Sequence, residues 1–177
     1  MKPCPAYVLL ALAWLPACSR SPADDALDLG AETTAARIEH MRAAIALLGA
    51  RPEHQASEVE VQHILLAVAV GGAEEGGRSH GKAEALAAEV YARAAAGEEF
   101  DTLERNYSSD VHPGIHRMSA RPAEGAGIIA RGDMLPGVGD VAWRLEVGEI
   151  GVVPYDGDGS GPGTKSPRGY HVVKRLR

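Results

Sequence analysis

Residues 58–68 read Glu-Val-Glu-Val-Gln-His-Ile-Leu-Leu-Ala-Val, and the period of that stretch decides the fold. Val59, Val61, His63 and Leu65 fall on one face of a strand, and Glu60, Gln62, Ile64 and Leu66 on the other. Both faces turn apolar towards the end, so the second half reads as a strand covered on both sides. An imidazole at 63, set among Val, Ile and Leu, needs a hydrogen-bond partner or a function. A core histidine satisfied by a neighbour is the ordinary explanation, so the rest of the chain has to supply either that neighbour or a site.

Around this strand the elements alternate. Residues 31–50 carry Ile38, Met41, Ile45 and Leu48 at helical spacing with Gly49 as a stop, which predicts an amphipathic helix with His40 facing solvent. Residues 51–58 read as a linker. After the strand comes a Gly/Glu-rich loop, 71–81, then a helix with Leu86, Val90 and Ala94 on one stripe, broken at Gly97. A second short helix contains Phe100, Leu103 and Tyr107. A polar Pro/Gly loop is expected over 108–125, a strand at 126–131, a short helix around 138–145, and a strand in Gly-Glu-Ile-Gly-Val-Val-Pro-Tyr. The low-complexity segment 157–169 reads as a hairpin-like insertion. A last strand places Tyr170, Val172 and Lys174 on one face and His171 and Val173 on the other. This order suits an α+β sheet covered by helices.

The composition bounds what such a domain does. The chain has 177 residues, 45% of them hydrophobic, with one Phe and two Trp. Ala supplies much of that fraction, so the core is expected to use small side chains. A net charge of -6 with no Lys/Arg run excludes a general nucleic-acid binder.

The first 17 residues form a leader in miniature: Lys2, an apolar stretch over about 6–17, then Cys18. That stretch is short for a bilayer span, which takes ~20 apolar residues, and it fits a secretory signal. Leu15-Pro16-Ala17-Cys18 resembles a bacterial lipoprotein signal, which implies cleavage before Cys18 and acylation there. Each buried CH₂ of an acyl chain contributes ~0.8 kcal/mol, so the expected state is an exported protein anchored to a membrane through Cys18. Residues 18–30 would then serve as a tether. Ser19 in place of Asp favours the outer over the inner membrane. With Cys4 removed and Cys18 acylated, no disulfide is expected.

In order and spacing, Val-Gln-His-Ile-Leu-Leu at 61–66, the run 96–110 ending Tyr-Ser-Ser-Asp, the run 131–153 and Ser-Pro-Arg-Gly-Tyr-His-Val-Val-Lys at 166–174 resemble the parvulin family of peptidyl-prolyl cis/trans isomerases. The resemblance covers about residues 59–177, within a domain expected over 57–177. It implies a four-stranded antiparallel sheet wrapped by about four helices, here preceded by the extra N-terminal helix, and no cofactor or metal. It also implies proline-containing unfolded or extended polypeptides as partners.

Residue by residue, the resemblance puts His63 and His171 together at the centre of the sheet, each fixing the other's tautomer. Asp110 falls near the prolyl carbonyl and Ser166 on a hydroxyl position of the histidine network. Met134, with Leu135, lines the proline pocket. Three departures accompany it. Val138 stands where a Phe often walls that pocket. Residues 123–127, Ala-Glu-Gly-Ala-Gly, replace the usual Gly-Gly-Asp-Leu-Gly. The segment 111–123 is longer than usual. Arg78 and Lys82 share their loop with Glu74 and Glu75, so no phosphate-reading basic cluster is evident.

Other chemistries fit poorly. His112 and His116 have the i, i+4 spacing of a helical metal pair, but Pro113 and Gly114 argue against a helix there. Ser108 and Ser109 lack a G-x-S-x-G elbow, and neither Gly-rich loop carries the Lys and helix of a phosphate loop. Two readings remain: an isomerase that assists folding of exported proteins, and a parvulin-like peptide-binding module with little turnover.

Overall fold

The computed structural model describes residues 32–69, 78–122, 125–157 and 165–177. Cys18, the tether and most of both Gly-rich loops lie outside these residues. Helix α1 (Thr34–Gly49) is followed by β1 (Glu58–Ala67), α2 (His80–Ala95), α3 (Phe100–Tyr107), β2 (Ile115–Ser119) and β3 (Ile128–Ala130). A 3-10 turn (Arg131–Asp133), α4 (Pro136–Arg144), β4 (Ile150–Val153) and β5 (Gly169–Arg175) complete the order. No helix among the described residues is long and apolar enough to cross a membrane.

The strands form one five-stranded sheet, β3-β2-β1-β5-β4. β1 is central and antiparallel to both β2 and β5, β4 is antiparallel to β5, and β3 runs parallel to β2. The α+β class holds. The expectation of four antiparallel strands needs two corrections: the sheet is mixed, because β3 runs parallel to β2, and the segment 108–125 is not all loop, because β2 lies inside it. In Ile-His-Arg-Met-Ser only Met118 and Ser119 are buried, so the segment has too little apolar content to announce a strand; pairing with β1 makes it one. Three α-helices and the 3-10 turn follow β1, and α1 precedes it.

Each face of the sheet has its own core. One holds Ile64, Leu66, Val152, Tyr170 and Val172 against Met41, Phe100, Leu103 and an alanine-rich side of α2, including Ala83, Ala87 and Ala94. Alanines let α2 lie close to the strands, as the composition foretells. The other packs Val59, Val61, Met118, Val153 and Val173 beneath Val138, Val141 and Trp143 of α4. Burying each such Val or Leu contributes roughly 1.5–3 kcal/mol.

Helix α1 is part of this body. Thr33 caps it, its hydroxyl accepting from the Ala36 amide at 3.2 Å. Met41 is fully buried in the first core, and Leu48 joins the second. Gly151 of β4 makes room for it: a Cβ there would stand 2.7 Å from Leu48 Cδ2. The connection after α1 is also held. The His54 amide donates to the Trp143 carbonyl at 2.8 Å and Trp143 Nε1 donates to the Ala56 carbonyl at 3.0 Å. Arg131 bridges Glu53 and Asp140 with its guanidinium over the Trp143 ring.

Candidate active site

β1 changes partners halfway along, and the site stands at the change. Its first half, 58–62, pairs with β2, and 61–67 pairs with β5. Beyond Gln62 one edge of β1 has lost its strand neighbour, and unpaired backbone groups there would be costly. Residues 108–114 satisfy them. The Ser109 amide donates to the Leu65 carbonyl at 2.8 Å, and Ser108 Oγ accepts from the Leu65 amide at 3.2 Å. The His63 amide donates to the Gly114 carbonyl at 3.0 Å. Gly114 has a φ of +59°, and a Cβ on it would meet the His63 carbonyl oxygen at 2.6 Å, so only glycine fits. Patching the strand edge is thus what carries Asp110 to His63.

Asp110 Oδ2 lies 3.4 Å from His63 Nε2 and 3.7 Å from Arg168 Nη1. Its Oδ1 accepts from the Val111 amide at 2.9 Å. Partial burial works to raise the Asp110 pKa, but the Val111 amide, His63, Arg168 and His116 together outweigh it and hold the carboxyl below its usual value. The group is a carboxylate at neutral pH.

His63 and His171 sit on adjacent strands with ring centroids 5.2 Å apart. The expectation that each fixes the other's tautomer is not met: both His63 nitrogens and His171 Nδ1 are buried without a directed hydrogen bond. The Nε2 of His171 instead pairs with Ser166 Oγ at 2.9 Å, and that oxygen also accepts the Arg168 amide. Burial, reinforced by His116, lowers the His63 pKa to about 4, and burial, reinforced by His63, lowers that of His171 to about 3. Both rings are neutral at physiological pH, beside an anion.

Met134 and Leu135 are half-buried against the core that contains Val61 and Val138. A Cβ on Gly137 would meet Val153 Cγ1 at 2.6 Å and the Lys165 carbonyl at 2.7 Å, so a bare glycine lets the first turn of α4 close onto the segment carrying Ser166. Val138 is fully buried in that core and presents no surface to a ligand. His63, Asp110, His171 and Ser166 therefore form one cluster, with Met134 and Leu135 on the same face of the sheet.

Two members of the cluster are not legible in the sequence as neighbours of His63 and Asp110. His116, on β2, packs edge to face on His63 at 4.8 Å. Arg168, in the turn before β5, faces Asp110. The i, i+4 pair His112 and His116 is split: His112 pairs with the buried Glu104, near Asp101. Asp101, Glu104 and His112 bring possible ligand atoms within 4.8 Å of one another. Glu104 is engaged by His112, and Asp101 by Arg105 and Gln62, so the trio is an ion-pair network. A cleft of about 770 Å³ between residues 53–58, the end of β2 and Trp143 shares no lining residue with the histidine cluster.

A family model, the PPIC-type PPIase (rotamase) domain, matches residues 63–177, well over half of the chain. No curated protein sequence matches. Among solved structures, a peptidyl-prolyl isomerase from Candida albicans is similar, at 18% sequence identity and a TM-score of 0.47 over 78% of this chain and 74% of that one. The family match begins at the histidine of β1 and runs through the β5 histidine, so it spans the whole cluster. The chain belongs to the parvulin family of peptidyl-prolyl cis/trans isomerases.

Proposed function

We propose that this isomerase assists the folding of exported proteins at the bacterial cell envelope, held to a membrane through acylated Cys18 and facing the periplasm. The lipoprotein-like run 15–18 supports the location, with the outer membrane favoured. Mass spectrometry of the membrane fraction tests it: an unmodified Cys18 or a retained leader would overturn the anchoring.

The chemistry asks little of the site. An X-Pro bond isomerises over a barrier of ~18–20 kcal/mol because twisting removes amide resonance. No bond is made or broken, so no nucleophile or metal is required. The planar amide places negative charge on its oxygen; a carboxylate close to that oxygen opposes the charge separation and weakens the C–N double-bond character. Asp110 takes this role, and the observation that carries it is the placement of its carboxylate 3.4 Å from His63 Nε2 and 3.7 Å from Arg168. His63 and His171, both neutral, shape the floor and donate or accept without adding charge. Ser166 fixes the His171 ring, and Met134 with Leu135 supplies apolar surface to the proline ring. Tighter binding of the twisted amide than of either planar isomer then accelerates exchange.

A protease-coupled assay on X-Pro peptides tests the activity, and rates equal to the uncatalysed control across different X residues would sink it. The second reading, a peptide-holding module with little turnover, is favoured by one observation: Val138 offers no wall to a prolyl ring.

A further inference from the structure

His116 occupies a place that the chemistry above does not use. Its Cα partner is Val61, which puts its side chain on the same face of the sheet as His63, two residues further along β1. The rings meet edge to face, with an interplanar angle of 73°. On the far side of His63, His171 approaches at 48°. His63 is therefore clasped between two imidazoles.

What holds His63 in its orientation is packing. Neither ring nitrogen makes a directed hydrogen bond, and 3.4 Å to Asp110 is long for one. The outer torsion of a histidine is broad and two-fold, so its setting falls to whatever touches the ring. His171 is anchored by Ser166. His116 arrives on a strand inside the segment 111–123, the part of the chain that is longer than the parvulin pattern.

We propose that His116 is a positioning residue of the isomerase site, its ring wedging His63 so that Nε2 faces Asp110. This rests on the isomerase reading. The titratable and charged groups around the wedge are His63 on β1, Asp110 after α3, Arg168 in the turn before β5 and His171 on β5. Burial lowers the His116 pKa and Asp110 opposes that, so the wedge is uncharged at neutral pH and gains charge as the medium acidifies.

The test uses the chain with His116→Ala and His116→Phe. Phe keeps a ring of similar size and removes the nitrogens. His116→Ala should lower kcat/KM roughly tenfold to a hundredfold, the scale expected when a catalytic group is misplaced, while the unfolding midpoint moves little. His116→Phe should restore most of the loss at neutral pH and flatten the response to acid. In both variants the His63 imidazole resonances, followed by NMR, should titrate at higher pH, because a neighbouring cation has gone. A His116→Ala variant equal to wild type in kcat/KM, or a Phe variant no better than Ala, overturns the wedge. If the wild-type chain shows no turnover, the isomerase reading fails by itself. The spectra then decide alone, and His63 ring shifts unchanged in His116→Ala would overturn the proposal.

Discussion

The two faces of the central sheet bury comparable strands to different ends. Against α2 and α3 lie Ile64, Leu66, Val152, Tyr170 and Val172, an almost wholly apolar set. The opposite face begins in the same way with Val59, Val61, Val153 and Val173, then changes, a residue or two further along, to His63, His171 and Ser166. Alternation along a strand lets one backbone serve both faces: at 63, 65, 171 and 173 the side chains point to the site face, and at 64, 66, 170 and 172 to the core. The apolar face contributes stability, and the site face accepts buried imidazoles at a cost in it.

That division predicts which changes separate folding from turnover. The largest effect belongs to the apolar face. Phe100→Ala should lose about 3–5 kcal/mol in urea unfolding, with kcat per folded molecule unchanged; a matching fall in turnover of the folded fraction would break the distinction.

Acid should act through the site face. His63 and His171 titrate lower when folded, so between pH 6.5 and about 4 the unfolded chain binds protons that the folded chain refuses. Stability is therefore intact above pH 6.5 and falls as the pH drops. His63 alone accounts for on the order of 3 kcal/mol by pH 4. Unfolding midpoints measured across that range should show the slope, and His171→Phe should reduce it.

Asp110→Ala should lower kcat/KM by roughly a hundredfold, the scale of a lost transition-state interaction, while costing less than about 1 kcal/mol of stability because the carboxylate is only partly buried. A stability loss as large as the kinetic one would put Asp110 on the structural side.

The smallest effect tests α1. Gly151→Ala places a methyl against Leu48 and Leu145, so a loss of about 1–3 kcal/mol is expected, with normal kcat at temperatures where the variant is folded.

How much of this the sequence discloses depends on range. β1 and β5 are legible because their apolar residues keep period two, and that period places His63 and His171 on chosen faces. α1 is legible as a helix from Ile38, Met41, Ile45 and Leu48, but the site it packs into is recorded only as a bare glycine in β4, whose meaning needs Leu48 beside it. β2 is hidden because Ile115, His116 and Arg117 carry the composition of a loop, and it becomes a strand only through pairing with β1. His116, which the sequence offers only as half of an i, i+4 pair with His112, goes unseen as a neighbour of His63. Ser108 and Ser109 are plain in the sequence as hydroxyl residues, yet the backbone they satisfy lies about forty residues earlier. Arg168 has no pattern of its own until the turn before β5 brings it to Asp110.

Central to the proposed function is the carboxylate at 110, which is proposed to drive cis/trans exchange beside neutral histidines. NMR exchange spectroscopy on one X-Pro peptide measures this without a coupling protease. With the wild-type chain, cis and trans signals should exchange far faster than in the peptide alone, and Asp110→Ala should remove most of that acceleration while its own amide spectrum stays folded. Wild-type exchange no faster than the free peptide, or full acceleration by folded Asp110→Ala, would contradict it.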